Sequence, residues 1–457
     1  MGGQTIGTGI SDARGAGRAV LMVTYYFPPS GGPGVQRMLK FTKYLPQFGW
    51  RPVVLTVRED AEYPVRDPSL WKDVPEATRV LRTGITEFYR IYRGIAKPAD
   101  PLDISTRSRR SGLVQRALRQ IRAGVFIPDG RVGWIPHAMG PGRKLAREEG
   151  VRAVVGSGPP FTALLVAGAL GRRTGLPWIA DFRDPWTRAP FYPDRPGIAR
   201  RIDEACERWV IRNAARTVAV NREILEDFTG RYKGLDVSRF VTISNGFDEE
   251  DFEGIEREEP QKLTLVHTGS LFAARDPREL REALSSLCRN EPGFAEGVEL
   301  VLAGRVDREV VEAFRTPPLD AIVRMVGYLE HGESLRLLRR AHLCLLFVGE
   351  EKQSRGMLTG KVFEYLGSGT AVLGLAPEGE ASELIRRCRA GTTVAPGDTA
   401  GLTDLLRSIW RRYRSGERRF AEPDSREVAE YGRRRLTGRL ATLLDAVDRT
   451  TQLSRRD

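Results

Sequence analysis

The 457-residue sequence holds only four cysteines and four histidines. Cys206, Cys288, Cys344 and Cys388 lie far apart and form no C-x-x-C pair, so a structural zinc site is not indicated. A chain this long needs no disulfide framework, and the thiols read as free, buried or half-buried groups of a reducing compartment. His137, His267, His331 and His342 are dispersed without metal-ligand spacing, and His342, at the head of an apolar run, reads as a core residue. No apolar run approaches the ~20 residues that a membrane span requires. The first residues, MGGQTIGTGISDARGAG, are glycine-rich and polar, unlike a signal peptide. A cytoplasmic protein is expected, with any membrane contact peripheral. D-x-D, H-E-x-x-H, G-x-x-x-x-G-K-[ST], G-x-S-x-G and G-x-G-x-x-G are all missing. Their absence argues against a P-loop, a hydrolase elbow and a dinucleotide fingerprint. No repeat of fixed period is visible.

What is present is length, positive charge and alternation. A chain of this size exceeds what one core usually supports, so two domains are expected. The net charge of +13 favours anionic partners: nucleotide phosphates, phospholipid head groups or nucleic acid. Arginine is scattered through every segment, so an arginine-rich composition accounts for the charge equally well, and no nucleic-acid recognition motif is visible. After a flexible tail over 1–18, AVLMVTYYF (Ala19–Phe27), a helical pattern and PVVLTV (Pro52–Val57) make a βαβ unit, which implies a parallel sheet. The alternation continues through RAVVGSG, PWIADF and TVAVN to VTISNGF. An acidic run from Asp248 to Lys262 reads as a linker, and a second α/β pattern starts at LTLVHTG. REVAEYGRRRLTGRLATLLDAV reads as one long amphipathic helix. Residues 107–126 stand apart. Leu113, Val114, Ala117, Leu118 and Ile121 share a helical face, and Arg107, Arg109, Arg110, Arg116, Arg119 and Arg122 surround it. That pattern suits either a segment lying on an anionic membrane or an ordinary surface helix.

Three stretches carry chemistry. The first is GMLTGKVFEYLGSGTAVLGLAPEG (Gly356–Gly379). A helix starting near Thr359 and Gly360 offers free backbone N–H groups and a positive dipole end, and Lys361 adds a full charge there. Glu364, one turn on, can accept hydrogen bonds from vicinal hydroxyls. A diphosphate joined to a ribose uses both halves. The second is the loop Pro28–Gly34, whose Gly31 and Gly32 allow close backbone approach at the end of the first strand. Arg37 follows, to contact an acceptor or a phosphate or to be solvated. The third is IADFRDPW, where Asp181, Arg183, Asp184 and Trp186 supply carboxylates and an aromatic face suited to a sugar. Turn-capping is the alternative for the two aspartates.

The G-K-V-F-E-Y-L segment, the Gly-Gly loop and the SNGFD turn before the acidic run resemble GT-B glycosyltransferases, family 4-like, over about 19–447. The resemblance implies an α/β fold of two Rossmann-like doubly wound domains facing across a cleft. Its parts would be 19–247 for the acceptor, a linker at 248–262, 263–424 for the nucleotide-sugar, and a helix over 425–450 returning to the N-terminal domain. It implies a retaining transfer from a nucleotide-diphosphate sugar to a glycan or lipid-linked acceptor in cell-surface polysaccharide synthesis, with no metal, cofactor or nucleic acid. The donor would meet Gly31, Gly32, Gly269, Arg275, Thr359, Gly360, Lys361 and Glu364, with Tyr328 at the base. Asp184 and Asp181 are the candidates beside the transferred sugar or acceptor hydroxyl. The chain departs from the family pattern at two places. Gly356 stands where the first Glu of E-x7-E belongs, and no histidine lies near Asp181. Those departures keep open a non-catalytic donor-binding subunit, and the shared fold keeps open a nucleotide-sugar epimerase.

Overall fold

The computed structural model describes residues 17–453 except 62, 64, 88–123, 125, 190, 191, 193, 194, 273–275 and 350–357. The arginine-rich segment 107–126 therefore lies almost wholly outside the described residues. Two sheets organise the chain. The first has seven strands: β1 (Arg18–Val23), β2 (Trp50–Val57), β3 (Arg79–Thr83), β4 (Val151–Gly158), β5 (Trp178–Phe182), β6 (Arg216–Ala219) and β7 (Phe240–Thr242), in the order β3-β2-β1-β4-β5-β6-β7. The second has six: β8 (Leu263–Thr268), β9 (Val298–Ala303), β10 (Val323–Gly327), β11 (Leu343–Phe347), β12 (Ala371–Leu375) and β13 (Gly391–Val394), in the order β10-β9-β8-β11-β12-β13. Strand order reverses between β1 and β4, which pair in parallel, and again between β8 and β11. In a doubly wound sheet such a reversal opens a crevice at the carboxyl ends of the strands.

The strands read as near-continuous apolar runs because helices cover both faces. In β11, Leu343 and Leu345 join one hydrophobic cluster, while Cys344 and Leu346 join another on the opposite face. Cys344 and Cys388 are buried, Cys206 and Cys288 are half-buried, and all four are free. Burial raises each thiol above its ordinary value, which disfavours the nucleophilic thiolate.

The chain folds into two compact units. Residues 1–181, 194–217 and 441–457 belong to the first, and residues 182–193 and 218–440 to the second. Within the first unit, three side chains converge on the chain's last helix. Asp445 accepts hydrogen bonds from Arg18 and from the Trp50 indole (3.0 Å), and Arg152 donates to Asp448 (3.0 Å).

The structure departs from the sequence-based expectation in several elements. β1 stops at Val23, and Tyr25 and Phe27 are buried in the loop beyond it. β3 (RVLRT) and β13 (GTTV) mix polar and apolar residues too evenly for their sequence to mark them. The single C-terminal helix is two pieces, Ser425–Ala429 and a longer one from Arg433 to Leu453. Tyr431 and Gly432 break it by pairing with the chain after β7: Phe247 N–H donates to Tyr431 O (3.1 Å) and Arg433 N–H to Phe247 O (2.7 Å). A Cβ on Gly246 would lie 2.0 Å from Tyr431 O, so the glycine of the SNGFD turn is there for backbone approach. The acidic run starts as a short 3-10 turn, Glu249–Phe252, whose Phe252 is buried in a core cluster of the second unit. Among the described residues, no helix is long and apolar enough to cross a membrane.

His342 is a core residue, as its sequence context implies. It is 3% exposed, and its Nδ1 accepts from Thr264 N–H at 3.1 Å. Burial, then Arg418 and Arg257, lower its pKa from 6.5 to about 4. Between those values the unfolded chain takes up a proton that the folded chain does not. Stability is therefore full above about pH 6.5 and falls as pH drops toward 4, with on the order of 2 kcal/mol lost by about pH 5. Urea titrations at pH 7 and pH 5 should show this loss. His342→Gln, which keeps an acceptor for Thr264, should flatten the slope.

Candidate functional site

The carboxyl edge of the second sheet is shaped by three glycines. Gly269 follows β8, Gly304 follows β9 and Gly327 ends β10, with φ of 114°, 126° and 71°. Only glycine adopts such angles without strain. Gly269 N–H donates to Ala303 O (2.6 Å) and Gly304 N–H to Gly327 O (2.6 Å), so the three chain ends are laced together. A Cβ on Gly304 would stand 2.4 Å from Gly269 O. A Cβ on Gly269 would stand 2.1 Å from Lys361 Cε and 2.4 Å from its Nζ. The lysine thus lies in the space that a side chain at 269 would fill.

Lys361 sits in the first turn of a helix, Gly360–Ser368, which we label α2 after α1 (Pro33–Tyr44) of the first unit. Its ammonium lies 3.4 Å from His267 Nε2. The other ring nitrogen, Nδ1, is 2.8 Å from Leu345 O, an acceptor, so the ring proton sits on Nδ1 and Nε2 presents a lone pair to the lysine. Burial and the Lys361 charge hold His267 well below its ordinary pKa, while the Leu345 hydrogen bond works weakly the other way. A neutral imidazole therefore fixes the cation without neutralising it. Tyr365, also fully buried, donates to Leu345 O (3.2 Å) and accepts from Thr268 N–H (3.2 Å), fixing the end of β8.

Glu364 lies one turn beyond Lys361, on the same helical face. Burial raises its carboxyl above the usual range; His331 and then Lys361 oppose this, and Asp251 adds to it. His331 Nε2 is 3.2 Å from Asp251 Oδ2, and its Nδ1 is 4.0 Å from Glu364 Oε1. Thr359, the N-cap of α2, makes no capping bond, and its buried hydroxyl has no partner among the described residues. The space beside Gly360 is open, and Tyr328 is 60% exposed just after Gly327. Arg275 lies outside the described residues. Lys361, Glu364, Thr359, Gly360 and Gly269 thus gather at one edge. His267, His331 and Asp251 join them unannounced by the sequence. The alternation in β8 is the available signal for His267, because residues 267 and 269 share a face of the strand. His331 gives a weaker one, standing three residues after Tyr328.

In the first unit, Gly31 and Gly32 lie in the loop after β1. Gly31 N–H donates to Val65 O (2.9 Å), and a Cβ there would meet Asp67 Cβ at 2.9 Å. Gly32 has φ 85°, open space around it, and caps α1. Arg37, however, is neither solvated nor available to a ligand. It is 1% exposed and clasps Asp181, with Nε 3.0 and 3.1 Å from the two carboxylate oxygens and NH2 2.7 Å from Oδ1. Ser157 donates to the same carboxylate at 2.7 Å. Asp181, 1% exposed, is therefore corrected from a catalytic candidate to the fixed partner of a buried ion pair. Trp186, also 1% exposed, packs near Phe182 and offers no face to a sugar. Asp184, in the second unit, is half-exposed, with no hydrogen-bond partner among the described residues. Its surroundings raise its carboxyl by desolvation, opposed by Arg183.

Residues 31–246 match the family described as glycosyl transferase 4-like domain. No curated protein matches the chain. Among solved structures, a glycosyltransferase from Rickettsia africae aligns at a TM-score of 0.56 and 12% identity, covering 95% of this chain and 97% of that one. HepE of Anabaena in complex with UDP aligns at 0.54 and 12% identity, covering 96% and 99%. A putative UDP-N-acetylglucosamine 2-epimerase from Listeria monocytogenes aligns at 0.56 and 11%, covering 94% and 96%. At these identities the likeness is one of fold. Together with the two parallel sheets it gives the GT-B architecture of two Rossmann-like α/β domains.

Removing one member of the buried pair leaves the other charge unpaired, so Arg37→Met should cost about 3–5 kcal/mol in denaturant unfolding. Adding Asp181→Leu should recover much of that loss. Gly269→Ala should cost about 1–3 kcal/mol through its backbone angle and the clash with Lys361. In a Lys361→Ala background the same change should cost measurably less, a coupling that a double-mutant cycle reads directly.

Proposed function

We propose that the chain is a retaining, metal-independent glycosyltransferase that moves a sugar from a nucleotide-diphosphate donor to a glycan or lipid-linked acceptor in cell-surface polysaccharide synthesis. The observation that carries this reading is Lys361, laid over the backbone of Gly269 at the open start of α2, with Glu364 one turn on. A diphosphate placed there meets a full positive charge, the first amides of a helix and a β-strand end with no side chain in the way. As the bond from sugar to diphosphate breaks, negative charge grows on the leaving group. Lys361 and the helix amides stabilise it, the part a divalent cation takes in other designs. Glu364 accepts from the ribose hydroxyls, and Tyr328 offers its ring to the base. Asp184, whose carboxyl is raised by desolvation, is the candidate for the transferred sugar or acceptor hydroxyl. The UDP held by HepE supports a nucleotide donor by analogy of fold.

A second reading rests on Gly356, which leaves the first carboxylate of the family motif unfilled: a subunit that binds donor without turning it over. Purified protein should be screened by thermal shift against UDP-, GDP-, ADP- and TDP-sugars without added metal, and by release of nucleotide with candidate acceptors. A selective shift plus acceptor-dependent release supports the transferase. Lys361→Ala should then lower turnover about 10²–10³-fold. A selective shift without release supports the binding subunit, and sugar conversion without any acceptor supports an epimerase. Wild-type activity in Lys361→Ala would sink the role given to the lysine.

A further inference from the structure

A basic recess lies at the opposite, amino edge of the second sheet. The chain enters β8 through Arg257–Pro260 and enters β11 through Arg340, Ala341 and His342, and Arg418 and Arg419 come from the turn after the helix Thr399–Arg414. The cluster around Lys361 lies at the carboxyl ends of the strands, so this site is separate from it.

Four guanidinium groups line the recess. Arg340 pairs with Glu258 at 3.1 Å, and both are well exposed. Arg418 is fixed by its neighbours: NH1 donates to the carbonyls of Tyr413 (2.9 Å) and Glu417 (3.1 Å), and its guanidinium stacks 4.3 Å from the Tyr413 ring. Arg257 and Arg419 make no hydrogen bond or ion pair among the described residues. Both side chains are exposed; partial desolvation and the like charges of Arg419 and Arg339 lower the Arg257 pKa, with Glu259 opposing. The recess floor adds a directional donor. His342 gives its Nδ1 lone pair to Thr264 N–H, so its proton sits on Nε2. That N–H has no hydrogen-bond partner among the described residues, and the ring, 3% exposed, lines the recess.

Four arginines gathered around an unused imidazole N–H, against the two carboxylates of Glu258 and Glu259, make a receptor for a compact oxyanion. We propose that this recess binds a phosphate group, presented by a soluble phosphate ester or by an anionic lipid head group. Arg257 and Arg419 supply the charge that attracts it, Arg418 a rigid fork, and His342 Nε2–H one directed hydrogen bond. The reading does not depend on the glycosyltransferase proposal.

The test uses the full chain carrying Lys361→Ala, so that phosphate at the carboxyl edge does not contribute. Inorganic phosphate and pyrophosphate are titrated while the His342 imidazole is followed by NMR, and flotation is measured with phosphatidylcholine vesicles with and without phosphatidic acid. Saturable binding that raises the His342 pKa is expected. Arg257→Gln and Arg419→Gln should each weaken it roughly tenfold, with unchanged melting in the absence of phosphate. Binding of the free anions without flotation assigns a soluble ester. Phosphatidic acid-dependent flotation lost in the double variant assigns a head group. No response of His342 to either probe, or a response undiminished in the double variant, overturns the proposal.

Discussion

A parallel sheet sends every strand out at one edge, and what can happen at that edge depends on how much room the departing backbone leaves. In the second sheet three successive strands leave through left-handed glycines, laced by hydrogen bonds of 2.6 Å. The absence of a side chain at Gly269 lets Lys361 lie flat against the backbone. That placement brings its ammonium within reach of a neutral His267, which anchors it and leaves its charge intact. If any one of these conditions is removed, the cation either swings out or loses its positive field. The Glu364 carboxyl, raised by burial, then loses one of the three groups that oppose that rise, the others being His331 and Arg433.

Both units hold charge at their strand ends, and they treat it in opposite ways. Around Arg37 the guanidinium meets two carboxylate oxygens and a serine hydroxyl completes the shell, so the charges cancel inside the fold. Around Lys361 a neighbour at 3.4 Å is an imidazole that carries no charge. The first arrangement ties α1 to β5, and the second sets a cation beside a neutral ring. The difference lies in the partner's protonation, which no count of lysines and arginines in the sequence reports.

The sheet-forming elements are legible because buried parallel strands are apolar throughout: β2, β8, β11 and β12 announce themselves, and Ala371–Leu375 can be read to the residue. The short strands Arg79–Thr83 and Gly391–Val394 cannot, because edge positions tolerate polar residues. The Lys361–Glu364 pair is legible from helical spacing alone. Asp181 misleads because burial depends on what lies above a strand end, here a helix 144 residues earlier in the chain. His267 and His331 escape notice because their spacing fits no metal site. Their roles come from contacts made across the second unit, His267 with Lys361 and His331 with Asp251.

The three acceptances of Asp445 and Asp448 carry a consequence for how the protein is made. Arg18 and Asp445 are 427 residues apart, and the strands that hold Arg18, Trp50 and Arg152 emerge from the ribosome long before their partners exist. Until then, that corner of the first unit carries an uncapped indole and two unmatched guanidinium groups. The second unit, synthesised in between, has every residue it needs before the first is complete. The first unit, begun first, is therefore the last to have all its residues in hand.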